Sequence, residues 1–138
     1  MAPVELANAV DTVRLSLHIL AATVWIGGQI VVAGLLPTVR GFGGDAPAKV
    51  ARAFARLSWP AFVVLIVTGV WNIAALNNGA GNHDWQMVLG IKMATVLLAG
   101  AAVAIHVRTT TPRSRGVSAG VGLLASLAAM VLGVVLAG

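Results

Sequence analysis

The sequence predicts an all-α fold: an integral membrane, antiparallel four-helix bundle with both termini outside. Three observations predict it. Hydrophobic residues make up 59% of the 138-residue chain and charged residues only 9%, whereas a water-soluble domain carries about 25% charged residues. Four apolar stretches are each about 20 residues long, enough for a helix to cross a bilayer core of about 30 Å. The basic residues concentrate in alternate loops. A chain this poor in charge cannot cover a globular surface with polar groups. A secreted disulfide scaffold, a soluble enzyme and a disordered tail are thereby excluded. The sequence pI near 11.6 does not point to nucleic acid, because there are too few charges to track phosphates. The chain has no Cys, so thiolate metal sites and disulfides are excluded.

The elements follow in order, as one domain over 1–138. The first span, 15–36, carries no formal charge. It is too long for a signal peptide, and Glu5 and Asp11 precede it where a signal would be basic. The connection from Pro37 to Arg56 holds Gly41, Gly43, Gly44 and Pro47, then a basic run of Lys49, Arg52 and Arg56. The second span, 57–76, is also uncharged, and the polar turn from Asn77 to Trp85 has no Lys or Arg. The third span, 86–107, contains one charge, Lys92. Pro112, within the basic loop Arg108 to Arg115, is expected to end that helix. The fourth span, 117–137, has no charge. Gly116 and Gly120 form a GxxxG, and Ser118, Gly122 and Ser126 extend a ridge of small residues suited to close helix packing.

Orientation follows from Lys and Arg. Arg40, Lys49, Arg52, Arg56, Arg108, Arg113 and Arg115 lie in the first and third loops, against Arg14 alone on the other side. Basic loops stay in the cytoplasm, so both termini lie outside.

Ionisable groups inside a span are costly and face the protein interior. His18 lies roughly 10 Å below the outer edge of the first helix, and Lys92 falls at about the same depth on the third. Asn72 and Met130, on helices running outward, also fall in the outer half. Arg14, His18, Trp25 and Gln29 share one helical stripe. These residues are expected to converge on a pocket of imidazole, ammonium, amide groups and Trp rings, with small residues leaving room for a flat ligand. The plainer alternatives are a Lys92 that snorkels to the interface, Trp59 and Trp85 as interface anchors, and Met87, Met93 and Met130 as core fill. His106 reads as a polar end residue and His83 as a solvated one.

The segment Leu17-His18-Ile19-Leu20-Ala21-Ala22-Thr23-Val24-Trp25-Ile26-Gly27-Gly28 resembles the opening of the copper-resistance-D (CopD) domain family. Arg56-Leu57-Ser58 through Thr68-Gly69 resembles that family's next helix, and Trp85 through Ile91-Lys92-Met93 its third. The His-x6-Trp and Lys-Met pattern is also similar to the HemJ-type membrane protoporphyrinogen oxidases. The resemblance spans Leu15 to Val107. It implies a bacterial inner-membrane protein handling copper or haem. In the HemJ-like case it implies His18 as an iron ligand and Lys92 as a functional residue beside the porphyrin. The chain departs from the HemJ pattern where Pro37 is followed by Thr38 and Val39 before Arg40.

Copper(I) favours thioether and imidazole ligands, which His18 and Met130 could supply. Lys92 and Arg14 oppose it, because like charge at this depth disfavours a bare cation. Haem b reverses the sign: its propionates are anions that Lys92 or Arg14 could neutralise while His18 binds iron. The expected cofactor is therefore haem b, with Lys92 the candidate catalytic residue and His18, Lys92, Arg14, Trp25 and Asn72 the candidate binding residues. Copper, with His18 and Met130 as ligands, is the alternative. A cofactor-free accessory subunit is the third possibility. Expected partners are the lipid bilayer, a membrane redox partner or a periplasmic copper protein, and a second copy of the chain, with no nucleic acid. A hydrolase is excluded because no Ser has a His-carboxylate partner at matching depth. Gly41-Phe42-Gly43-Gly44 lacks the Lys-Ser/Thr ending of a phosphate loop.

Overall fold

The computed structural model describes residues 6–76 and 81–137, and these are helical nearly throughout. Four helical stretches are long and apolar enough to cross a membrane: Ala9–Gly41, Ala46–Ala74, His83–Arg108 and Pro112–Ala137. The four apolar stretches of the sequence are thus the four long helices, each starting earlier than expected, the second ending at Ala74 and the fourth at Ala137. The chain divides into two compact units, Met1–Asn78 and Gly79–Gly138, and each is taken by itself.

In the first unit, α1 (Ala9–Ala22) is capped by Asn8, whose side chain accepts from the Asp11 amide at 2.9 Å. One turn of π-helix, Thr23–Gly27, joins it to α2 (Gly28–Gly41). Pro37 was expected to begin the loop. Instead it lies inside α2, and the helix runs on to Gly41. Its ring requires only the φ that a helix already supplies, and the cost is one bond to the Ala33 carbonyl. The connection shrinks to a tight turn in which Gly43 and Gly44 take φ of 70° and 57°, a conformation that side chains with a Cβ rarely adopt. The basic run then becomes the first turns of α3 (Ala46–Ala74). The helix tolerates Pro60 in its interior.

The contacts between these helices pair rising numbers with falling ones. His18 meets Thr68, Trp25 meets Phe62, and a Cβ added to Gly28 would strike the Phe54 ring. The sum of partner numbers stays near one value, so Arg14 shares a level with Asn72, and Trp25 shares one with Ala61.

In the second unit, α4 (His83–Arg108) is capped by Asn82, whose side chain accepts from the Trp85 amide at 3.0 Å. Pro112 does not end this helix, which stops at Arg108. It opens α5 (Pro112–Ala137). A first-turn amide has no helical partner to lose, so Pro is at home there. Small residues join the pair: Ala99, Gly100 and Ala102 on α4, and Ser118, Gly122, Ala125, Ser126 and Ala129 on α5, are all buried. The expected ridge of Ser118, Gly122 and Ser126 is thus the buried face of α5, whereas Gly116 and Gly120 of the GxxxG are exposed and have open space around them.

Candidate functional site

The first unit gathers the polar residues of the predicted stripe. His18 is half-buried, and its Nδ1 lies 2.7 Å from Oγ1 of Thr68, which is 3% exposed. Thr68 has one hydroxyl proton, and it goes to the Val64 carbonyl at 2.7 Å. Thr68 therefore accepts from His18 Nδ1–H, which assigns the imidazole lone pair to Nε2. The ring lies over Gly69, its Cε1 3.7 Å from where a Cβ there would stand. Nothing in the sequence marked Gly69 as the seat of the ring.

One turn toward the start of α1, Arg14 and Asn72 share a level. Arg14 is paired with Asp11 at 2.9 Å, and its side chain is 11% exposed. Asp11 also accepts from the Asn8 amide nitrogen at 2.8 Å. Arg14 was expected to bring positive charge to this level. In fact it carries its own counter-ion, so its attraction for an anionic ligand is reduced. Two polar atoms here are buried without a hydrogen-bond partner: Nε of Arg14, a donor, and Oδ1 of Asn72, an acceptor. Such atoms are few in native proteins and each costs about 1–3 kcal/mol.

About two turns further along the chain than His18, Trp25 is 3% exposed and stands inside the π turn. Its ring packs edge-on to Trp59 at 5.7 Å and tilted over Phe62 at 4.4 Å. Trp59, expected as an interface anchor, is thus part of an aromatic cluster. The Trp25 carbonyl accepts the Gln29 side-chain amide at 3.0 Å. A π turn displaces the backbone ladder, and such turns recur at functional positions. Pro60 removes an amide from α3 at nearly the same level, so irregular backbone faces irregular backbone. The sequence pattern assumed a regular period and carried no sign of the π turn.

The second unit holds the other two predicted residues. The Lys92 side chain runs across Gly133, its Nζ 3.0 Å from where a Cβ there would stand. A glycine is what lets the ammonium lie against α5. Lys92 makes no side-chain hydrogen bond or ion pair among the described residues. Met130 lies one turn away on α5 and is 48% exposed. Trp85 donates Nε1–H to the Leu136 carbonyl at 3.4 Å. His106, expected as a polar end residue, has Nδ1 2.9 Å from the Arg115 carbonyl across the turn between α4 and α5. His83 begins α4 and is exposed.

Among the described residues, no group of three or more His, Asp or Glu gathers as a metal site. No family model, curated protein or solved structure matches the chain.

Proposed function

We propose that this chain is a bacterial inner-membrane protein that holds a haem through His18 and takes part in haem or redox metabolism. The observation that carries the proposal is the orientation of the imidazole. A ligating His commonly donates its other ring N–H to a fixed acceptor, which sets the tautomer and raises ligand basicity. Thr68 is such an acceptor, held in turn by the Val64 carbonyl. One turn outward, Arg14 Nε and Asn72 Oδ1 supply a buried donor and a buried acceptor still lacking partners. The imidazole fits iron and the Arg14 donor fits a propionate, and Asn72 would serve the same carboxylate with its amide turned to present Nδ2. Trp25 would line the apolar wall. When bound, the haem supplies one-electron chemistry; the chain's own residues orient it, exclude water and neutralise its carboxylates.

The proposal includes the finer topology: an antiparallel bundle with basic loops in the cytoplasm and both termini outside. The proposal keeps Lys92 as the residue whose ammonium would neutralise a propionate. Because Asp11 already compensates Arg14, Lys92 carries most of the charge argument and is the proposed catalytic residue. A membrane redox partner would exchange electrons with the site.

One observation favours a second proposal, copper bound by His18 and Met130. The Arg14–Asp11 pair removes part of the charge that opposes a bare cation there.

The absorption spectrum of the purified protein, supplied with haem, tests both. A Soret band is expected, lost in His18→Ala and weakened in Lys92→Met. Thr68→Val should keep the fold but lower haem affinity roughly 10–100-fold, the usual effect of losing a ligand's supporting bond. A colourless protein with stoichiometric copper supports the second proposal. A protein that takes up neither would overturn both.

A further inference from the structure

A groove on the second unit has a different chemistry from the His18 site. It runs between α4 and α5 and has a volume of about 410 Å³. Leu98, Ala101, Ile105, Val117 and Val121 form its apolar walls. Arg113 and Ser114 stand at one end, where α5 begins. No lining residue is acidic.

The two polar residues have donors to spare. Arg115 spends its Nε–H on the Thr109 carbonyl at 2.9 Å, whereas the Arg113 side chain makes no hydrogen bond or ion pair among the described residues. Thr111 donates to Ser114 Oγ at 2.7 Å. Ser114 is thereby the acceptor in that bond, and its own hydroxyl proton is left for another group. From Arg113 to Val121 the groove wall extends about 12 Å along the helix, enough for the upper half of a fatty-acyl chain. Beside a guanidinium and a hydroxyl donor, this apolar channel has the polarity of a lipid: an anionic head at one end and hydrocarbon beyond it. Basic residues at the membrane end of a helix pair suit phosphate head groups.

We propose that the groove binds one anionic glycerophospholipid, with its phosphate against Arg113 and Ser114 and one acyl chain along Ala101, Val117 and Val121. The proposal goes beyond the haem site and does not depend on it. It rests only on the chain residing in a membrane.

Native mass spectrometry of the full chain tests it, in mixed micelles of phosphatidylglycerol and phosphatidylcholine with identical acyl chains. One phosphatidylglycerol should be retained in preference to phosphatidylcholine. Arg113→Gln should cut that preference about fivefold, equivalent to the about 1 kcal/mol that one basic residue contributes near a membrane surface. Arg52→Gln, in the other basic segment, should leave it unchanged. Ala101→Leu, which fills the channel, should lower retention of both lipids. Equal retention of the two lipids by the native chain would overturn the proposal. So would a preference that survives Arg113→Gln, or a dimer that excludes lipid.

Discussion

The two units solve the same problem, holding two long apolar helices together, with opposite materials. In the first, bulky side chains meet: Trp25 on Trp59 and Phe62, and Phe54 over Gly28. A side-chain bond, His18 to Thr68, crosses between helices, and two buried polar atoms lack partners. In the second, small residues meet. The buried hydroxyls of Ser118 and Ser126 turn back to their own helix, donating to the Ser114 and Gly122 carbonyls at 2.7 Å. Neither unmet buried atom lies in this unit. In lipid there is no hydrophobic drive between helices, so close contact of small residues is an economical way to join them. A unit that instead retains strained polarity, a π turn and an interior proline forgoes that economy. Such departures concentrate where a protein does something besides fold.

The comparison breaks first at Trp25. Trp25→Ala should destabilise the first unit by about 3–5 kcal/mol, since it empties the centre of the aromatic cluster. Thermal unfolding in detergent gives the magnitude, and hydrogen exchange should place the lost protection within residues 6–76. A small loss would mean that the cluster is surface decoration and that the two units are alike. The second unit should break differently, by addition. A Cβ at Gly122 would stand 3.1 Å from Val103 Cγ2 and 3.7 Å from the Val103 backbone nitrogen. Gly122→Leu should therefore cost about 1–3 kcal/mol by overpacking. Gly116→Leu, with open space around it, should cost almost nothing. Equal effects would remove the small-residue account of the α4–α5 contact.

The four long helices were legible because length and hydropathy alone decide them. The ridge of Ser118, Gly122 and Ser126 was legible too, because small residues at helical spacing mark close approach. The ends of the helices were not. Pro37 and Pro112 suggest stops, but proline constrains φ to a value helices share, so it can sit within a helix at the cost of one bond or open one at no such cost. The stripe of His18, Trp25 and Gln29 was visible as a period, yet the π turn between them was not, because one extra residue in a turn leaves no mark in composition. Arg14 is visible in the sequence as a charge, but its pairing with Asp11, a single turn before it, depends on the start of α1 lying before the apolar span. Of the candidate site, the structure joins His18 to Thr68 within the first unit and lays Lys92 along Gly133 in the second.

The smallest expected effect carries the most information, because it has two signs. Asn72 Oδ1 is buried and accepts no hydrogen bond. If the amide serves only the fold, it serves it badly: leucine of similar size would remove an unmet polar atom and fill the same space. Asn72→Leu should therefore raise the stability of the ligand-free chain by about 1 kcal/mol. The same change should weaken haem retention, because the amide about one turn from the level of His18 can no longer turn its Nδ2 toward a propionate. Thermal unfolding without haem gives the first sign, and a haem titration followed at the Soret band gives the second. A stabilised chain with weakened binding identifies Asn72 as a residue retained for a ligand at a cost to the fold. A destabilised chain would mean that the amide is satisfied in solution. Asn72 would then be no argument for a ligand in the first unit.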